Sequence, residues 1–385
     1  MFVTPPHVRR LLALTGTAAL AVSALAAVPA ATARSADGAT AASPAGHKIL
    51  AQGLNNPRLL SFGPGGALYV AEAGAGGSGP CVTGGDGSRV CFGDTGSVTR
   101  IRAGRQHRVL RHLPSLAGSG GAEAIGPEAV QVTRGGRYTV SMGAGIDLAT
   151  RRSIGHRAHR LGTLQAGRLG GGHHTVADIV KFEWGHNPDH SAAHDSDPAG
   201  FARTRHGYVL ADAGGNDLLR VDRRGHVHVM AVFPDRMAAL PPFAGGGQAP
   251  MQAVPTAVTR GPDGAWYVSQ LTGFPFPAGA ANIYRVVPGR APTVWASGLT
   301  NVTDLAWYRH KLYAVEIAEG GLLAVPPGQP PTGALVRVRH TTNQHLEVIA
   351  RLVAPYGLAV RNDHAFVTTC SVCKGGGSVT RVALH

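Results

Sequence analysis

The chain has 385 residues, 44% of them hydrophobic and 15% charged, with a formal net charge of +14 and a pI near 10.4. Such a charge favours polyanionic partners in general. However, the arginines are spread along the whole chain, with only "HRAHR" and "DRRG" as local groups and no interleaved aromatics, which argues against a nucleic-acid platform. No segment after the N-terminus approaches 18 continuous apolar residues, which excludes a membrane span in the mature chain.

Residues 1–33 read as a signal peptide: His7, Arg9 and Arg10 form a basic start, "LLALTGTAALAVSALAAV" is the apolar stretch, and Ala31, Thr32 and Ala33 make an A-x-A cleavage site. The mature, secreted chain is expected to begin near Arg34. The general secretory route is the default, although the adjacent Arg9 and Arg10 leave the twin-arginine route open. Residues 34–46, "RSADGATAASPAG", are small and polar and are expected to be disordered. One domain is expected over 47–385.

From there a short phrase recurs six times: an apolar run, a Gly/Pro/Asp turn, and a second apolar run. The copies begin "PRLLSFGPGGALYVAEAG", "PEAVQVTRGGRYTVSMG", "PAGFARTRHGYVLADAG", "PTAVTRGPDGAWYVSQ", "VTDLAWYRHKLYAVEIAEGG" and "PYGLAVRNDHAFVTTC". Each supplies strands a and b of a hairpin. A third strand, c, follows each phrase, as in "SVTRI" and "NIYRV", and a fourth, d, follows five of them, as in "HRVLRHL" and "PTVWAS". The missing d strand is found at the other end of the chain, where "HKILAQGL" precedes the first phrase. The repeat therefore predicts an all-β, six-bladed β-propeller, with residues 47–52 completing the last blade beside residues 378–384. A β-sandwich also has regularly spaced short strands, but six copies in one order with the absent strand at the opposite terminus fit a ring better. At about 59 residues per blade, above the roughly 40 to 50 of common propeller repeats, the excess belongs in loops.

Three stretches, "ADAGGNDLLRVD", the preceding "HDSDPAGF", and "YVSQLTGFPFPAGAANIYRV", resemble the ScyD/ScyE family of secreted bacterial propellers, which is more distantly similar to NHL-repeat proteins. The resemblance covers essentially all of residues 47–385 and implies a six-bladed propeller exported from the cell. It implies no catalytic mechanism. The His-rich stretch 156–194 departs from the family's usual look.

Because strands alternate in direction, all b–c and d–a loops emerge at one end of the ring, the default binding face. At the end of strand b the six blades carry Glu72, Met142, Asp212, Gln270, Glu316 and Thr369, acidic in blades one, three and five. Glu128, Asp197 and Asp304 lie in or beside d–a loops at the same end. Hard oxygen ligands arranged in this way would suit Ca²⁺ or another divalent cation, with Glu72, Asp212 and Glu316 as its ligands. Alternatively, the same carboxylates cap backbone N–H groups or pair with arginines.

Cys81 and Cys91 bracket the b–c loop of blade one, and Cys370 and Cys373 bracket that of blade six. In an exported chain they are expected as disulfides, Cys81 with Cys91 and Cys370 with Cys373. A bridge across the two blades and a zinc site are the rival arrangements. His186, His190 and His194 recur every four residues, but Pro188 interrupts any helix that would align them. "GAGGSG" at 74–79 matches G-x-G-x-x-G without a following helix. No G-x-S-x-G or H-E-x-x-H occurs. Two functions are therefore carried forward. One is a monomeric extracellular binding or scaffold protein for a small molecule, glycan or protein, with no definite cofactor. The other is a divalent-metal-dependent hydrolase of the lactonase or esterase kind with carboxylates at the channel mouth.

Overall fold

Glycine pairs set the tight turns from which the first two blades grow. In the a–b turn of blade one, Gly65 and Gly66 adopt φ of 68° and 74°, and Gly135 and Gly136 repeat this in blade two at 76° and 71°. A side chain at such angles is strained, so glycine lets each apolar run fold back on the previous one within a few residues.

The computed structural model describes residues 47–384 apart from residues 86 and 341–345. The expected signal peptide (1–33) and polar segment (34–46) lie outside the described residues. Six four-stranded antiparallel blades form the expected β-propeller. Blade one comprises Pro57–Phe62, Leu68–Glu72, Arg89–Arg102 and Arg105–Ala117 as strands a to d. Blade two comprises Pro127–Val132, Arg137–Met142, Thr163–Arg168 and His173–Asp178. Blade three comprises Pro198–Thr204, Gly207–Asp212, Asp217–Asp222 and Val227–Val232. Blade four comprises Pro255–Arg260, Trp266–Gln270, Ala281–Val286 and Thr293–Leu299, and blade five Val302–Tyr308, Lys311–Glu316, Thr332–Val338 and Leu346–Val353.

Blade six is made from both ends of the domain. Leu358–Arg361, His364–Thr369 and Gly377–Ala383 supply strands a to c, and His47–Leu54 supplies strand d. The register runs from His47 opposite Val382 to Leu54 opposite Gly377. The ring thus closes as the repeat predicts, two residues further than expected.

The core is divided among the blade interfaces. Tyr69, Val98, Val130 and Val140 pack between blades one and two, Leu164, Phe201 and Leu219 between two and three, and Val209, Phe233, Val258 and Val268 between three and four. At the closing interface Ala51, Leu54, Leu60, Val70 and Val379 form an equivalent cluster. Near the hub, hydroxyls tie one blade to the next. Ser61 donates to the carbonyl of Val130 (2.5 Å), Ser141 to Ala199 (2.6 Å), Thr256 to Val302 (2.8 Å), Thr303 to Tyr356 (2.7 Å) and Thr368 to Arg58 (3.0 Å). Among the described residues no helix is long and apolar enough to cross a membrane.

Closure by His47–Leu54 has a testable cost. Leu54→Ala empties a fully buried site and should destabilise the domain by about 2–5 kcal/mol, whereas Ile49→Ala on the same strand, 43% exposed, should change stability little. Deleting residues 47–53 should yield aggregated or unfolded protein. A soluble deletion with unchanged melting would refute closure as a requirement.

Candidate functional site

The two ends of the ring are built differently. The a–b and c–d turns are short, while the b–c and d–a connections carry the insertions. Blade one extends its c and d strands and adds Cys81–Thr83, which pairs with strand c. The b–c connection of blade two contains the helix Leu148–Ile154, and a second helix, Ile179–His186, follows its strand d. Asp147 and Asp178 cap these helices by accepting from Thr150 N and Lys181 N. Val90, Phe92, Leu116, Ile146, Leu161 and Val180 form an additional apolar cluster under these insertions. Between blades three and four a separate hairpin, Arg236–Ala239 and Gln248–Met251, stands outside the blades.

The residues at the ends of strand b are placed at this end as expected, and all are buried. The side-chain oxygens of the five polar residues among them are engaged within the protein. Glu72 accepts from Ser97 (2.9 Å), Thr99 (2.5 Å) and the Asn55 backbone N–H (2.8 Å), and pairs with Arg108 at 2.7 Å. Asp212 accepts from Ser196 (2.6 Å) and from the backbone N–H groups of Asp197 (2.6 Å), Gly214 (3.2 Å) and Gly215 (3.4 Å). Glu316 accepts from Thr300 N (2.7 Å), Gln270 from Asn282 N (3.0 Å), and Thr369 bonds Ser378 at 2.6 Å. Asp304 accepts from its neighbour Leu305 (2.8 Å) and, across blades, from Leu358 N (2.7 Å). The expected ligand set Glu72, Asp212 and Glu316 is therefore used to fold loops. Among the described residues no group of three or more His, Cys, Asp or Glu is arranged to hold a metal ion.

Of the predicted residues, Glu128 and Asp197 do come together. A Cβ placed on Gly143 would lie 2.7 Å from Asp197 Oδ1 and 3.1 Å from Glu128 Cγ. Sequence reasoning missed their partners, Arg58 and Tyr356. Arg58 Nε lies 3.3 Å from Glu128 Oε1, its guanidinium stacks 4.7 Å from the Tyr356 ring centroid, and the Tyr356 hydroxyl donates to Glu128 at 3.4 Å. Residues from blades six, one and two are thus bound to each other where the innermost strands begin. Burial pushes the Glu128 carboxyl up to about 8, against the opposing pull of Arg58.

A second acidic group surrounds the b–c turn of blade three. Asp212 and Asp217 stand directly opposite each other across strands b and c. Glu183, from the helix Ile179–His186, approaches over Gly215: a Cβ there would lie 3.0 Å from its Oε2 and 3.4 Å from Asp212 Oδ2. Glu183 and Asp217 are buried, and none of their four carboxylate oxygens has a hydrogen-bond partner among the described residues. Burial, reinforced by the neighbouring acids, raises Glu183 to about 8 and Asp217 well above the usual carboxylate range. Burial likewise raises Asp212 to about 7 and Asp195 to about 6. Glu183 was not recognised in the sequence, although Asp178 before "IVKF" and Asn187 after the helix were available as cap signals.

Both expected disulfides are present, Cys81 with Cys91 and Cys370 with Cys373. The second holds a loop at the closing seam, where Cys373 O accepts from Asn56 N at 3.1 Å. The helix ends at His186, with Asn187 in the left-handed conformation. His190 and His194 follow with φ of 57° and 48°, so the three histidines share no helical face.

Ring, closure and loop-bearing end together define a six-bladed β-propeller. No family model and no curated protein matches the sequence. Solved structures do. A glucose dehydrogenase is 14% identical, covering 88% of this chain and 99% of its own, with a TM-score of 0.50. A protein of unknown function from Bacteroides thetaiotaomicron is 9% identical, covering 88% of this chain and 75% of its own, with a TM-score of 0.50. Virginiamycin B lyase from Staphylococcus aureus, crystallised as an inactive variant with quinupristin, is 11% identical over 88% of this chain and 98% of its own, with a TM-score of 0.46. At these identities the similarity is one of fold.

The buried acids make stability depend on pH. Their folded pKa values lie above the unfolded values of about 4, so the native state binds more protons and stability falls as pH rises from about 4 to about 8. Asp222 and Asp263, held down by hydrogen bonds, act in the opposite direction at lower pH. Melting should therefore occur at lower temperature at pH 8 than at pH 5. Asp217→Asn should raise stability at pH 8 by on the order of 1–3 kcal/mol and flatten the profile. A variant less stable than the parent at pH 8 would contradict the assignment of an uncompensated charge there.

Proposed function

We propose that this chain is an exported binding propeller that takes its ligand on the end built by the b–c and d–a connections. The observation that carries this reading is the hairpin Arg236–Ala239 and Gln248–Met251. It pairs with no blade and displays Met237 at 60% and Phe243 at 65% exposure. Arg236 anchors its base by donating to Gln270 Oε1 (3.1 Å) and to the Ala280 carbonyl. Solvent-facing apolar side chains on a fixed arm are a contact surface for a partner with apolar groups. Trp184, 45% exposed on the helix Ile179–His186, adds a further apolar contact among the d–a connections. The resemblance to the ScyD/ScyE family and the N-terminal signal support export, and two disulfides are compatible with it.

A metal-dependent hydrolase is the second reading. Its supporting observation is the four buried, unpartnered carboxylate oxygens of Glu183 and Asp217, hard donors of the kind Ca²⁺ takes, although these two residues fall short of a three-ligand group.

Exported protein recovered from culture medium should begin near Arg34. Screened against glycans and proteins of that medium, it should bind a ligand whose affinity falls about tenfold or more, roughly 1.4 kcal/mol or above, in the Met237→Ser/Phe243→Ser double variant, with melting unchanged. A ligand held equally well by that variant would move the binding surface elsewhere. Stoichiometric metal in the purified protein, with melting lowered by chelator and by Glu183→Gln, would favour the hydrolase.

A further inference from the structure

The opposite end of the ring carries a different feature. Between blades two and three lies a cavity of about 560 Å³, within the range of small-ligand sites. Six arginines line it: Arg137, Arg168, Arg203, Arg205, Arg223 and Arg224. They come from four short segments of two neighbouring blades. Arg137 opens strand b of blade two and Arg168 closes its strand c. Arg203 and Arg205 flank the a–b turn of blade three, and Arg223 and Arg224 form its c–d turn.

Among the described residues no acid pairs with this group. None of the six forms an ion pair among the described residues, and Arg223 donates to the Arg205 carbonyl at 2.7 Å. The one acid lining the cavity, Asp222, is occupied by His226 (3.0 Å) and by the backbone N–H groups of Arg224 (2.7 Å) and His226 (3.0 Å). Arg137 and Arg168 also stand directly opposite each other in register, a like-charge placement that destabilises a bare sheet. The cavity floor supplies polar atoms that do not compete for the arginines: Thr139 Oγ1 and the Tyr208 hydroxyl bond each other at 3.1 Å.

We propose that this cleft binds a compact anion carrying two or more phosphate groups. Guanidinium forks match phosphate oxygens bidentately, and six of them around one cavity exceed what a single monoanion would use. The shared chemistry is phosphate. Its source is either a free polyphosphate or a base-free polyol-phosphate polymer.

Inorganic tripolyphosphate is the probe, measured by calorimetry with the full mature chain. It should bind at one equivalent, and affinity should fall as salt is raised. Arg137→Ser/Arg168→Ser and Arg203→Ser/Arg205→Ser should each weaken binding about tenfold or more. Arg105→Ser/Arg290→Ser, which removes equal charge from exposed positions in or next to the c–d turns of blades one and four at the same end, should leave it within about twofold. Unchanged near-ultraviolet circular dichroism and melting would confirm that the variants fold. A glycerol-phosphate oligomer that outcompetes tripolyphosphate would identify a polymer as the source, and the reverse order a free polyphosphate. Equal losses in the control variant, no binding of tripolyphosphate, or tighter cleft-dependent binding of single-stranded DNA would each overturn the proposal. Failure here leaves the hairpin reading intact, because the two sites lie at opposite ends of the ring.

Discussion

A ring of sheets is stable only if every blade has a neighbour on both faces, and here that condition rests on a single strand. His47–Leu54 must leave the start of the domain and pair with Gly377–Ala383 at its end. Without it, the last blade loses its outer strand and the first loses part of the apolar wall that covers Leu60 and Val70. Blade six then meets blade one only through its inner strands, by contacts such as the Thr368 hydroxyl on the Arg58 carbonyl. The Cys370–Cys373 loop reinforces this seam from the loop-bearing end by accepting the Asn56 N–H.

Much of this was readable from the chain because a propeller writes its geometry in repeats. The alternating strands, the glycine turns and the absent sixth d strand determine blade order and closure without any tertiary information. The cysteine pairing was readable for a related reason, since each pair brackets a short loop. Roles were less readable than positions. Strand register places Glu72, Asp212 and Glu316 at one end, but it does not say that Asn55 N, Gly214 N and Thr300 N will be waiting there. The sequence therefore leaves two roles open for these residues, cation ligands or partners of backbone N–H groups and arginines, and the bonds they make are of the second kind.

Two further features depend on distance in the chain. Glu183 reaches Asp212 from a helix inserted in a connection, so no repeat predicts its approach. The arginines looked scattered because consecutive members of the cleft are separated by up to 35 positions in the sequence. Folding places the turns of blades two and three side by side and turns a diffuse charge into a local one. The result is a molecule of two chemical poles. One end concentrates buried acids and exposed apolar groups, and the other concentrates unpaired cations.

The hydroxyls near the hub carry a mechanical implication. Ser61, Ser141, Thr256, Thr303 and Thr368 each reach forward to the following blade, so the blades are stitched together at the inner radius. Every c–d pairing contains a register shift, as do the a–b pairings of blades one to five, while the b–c pairings run without one. The middle ladder of each blade is therefore its regular part, and the hydroxyl stitches join five of the six blade junctions, that between blades three and four excepted.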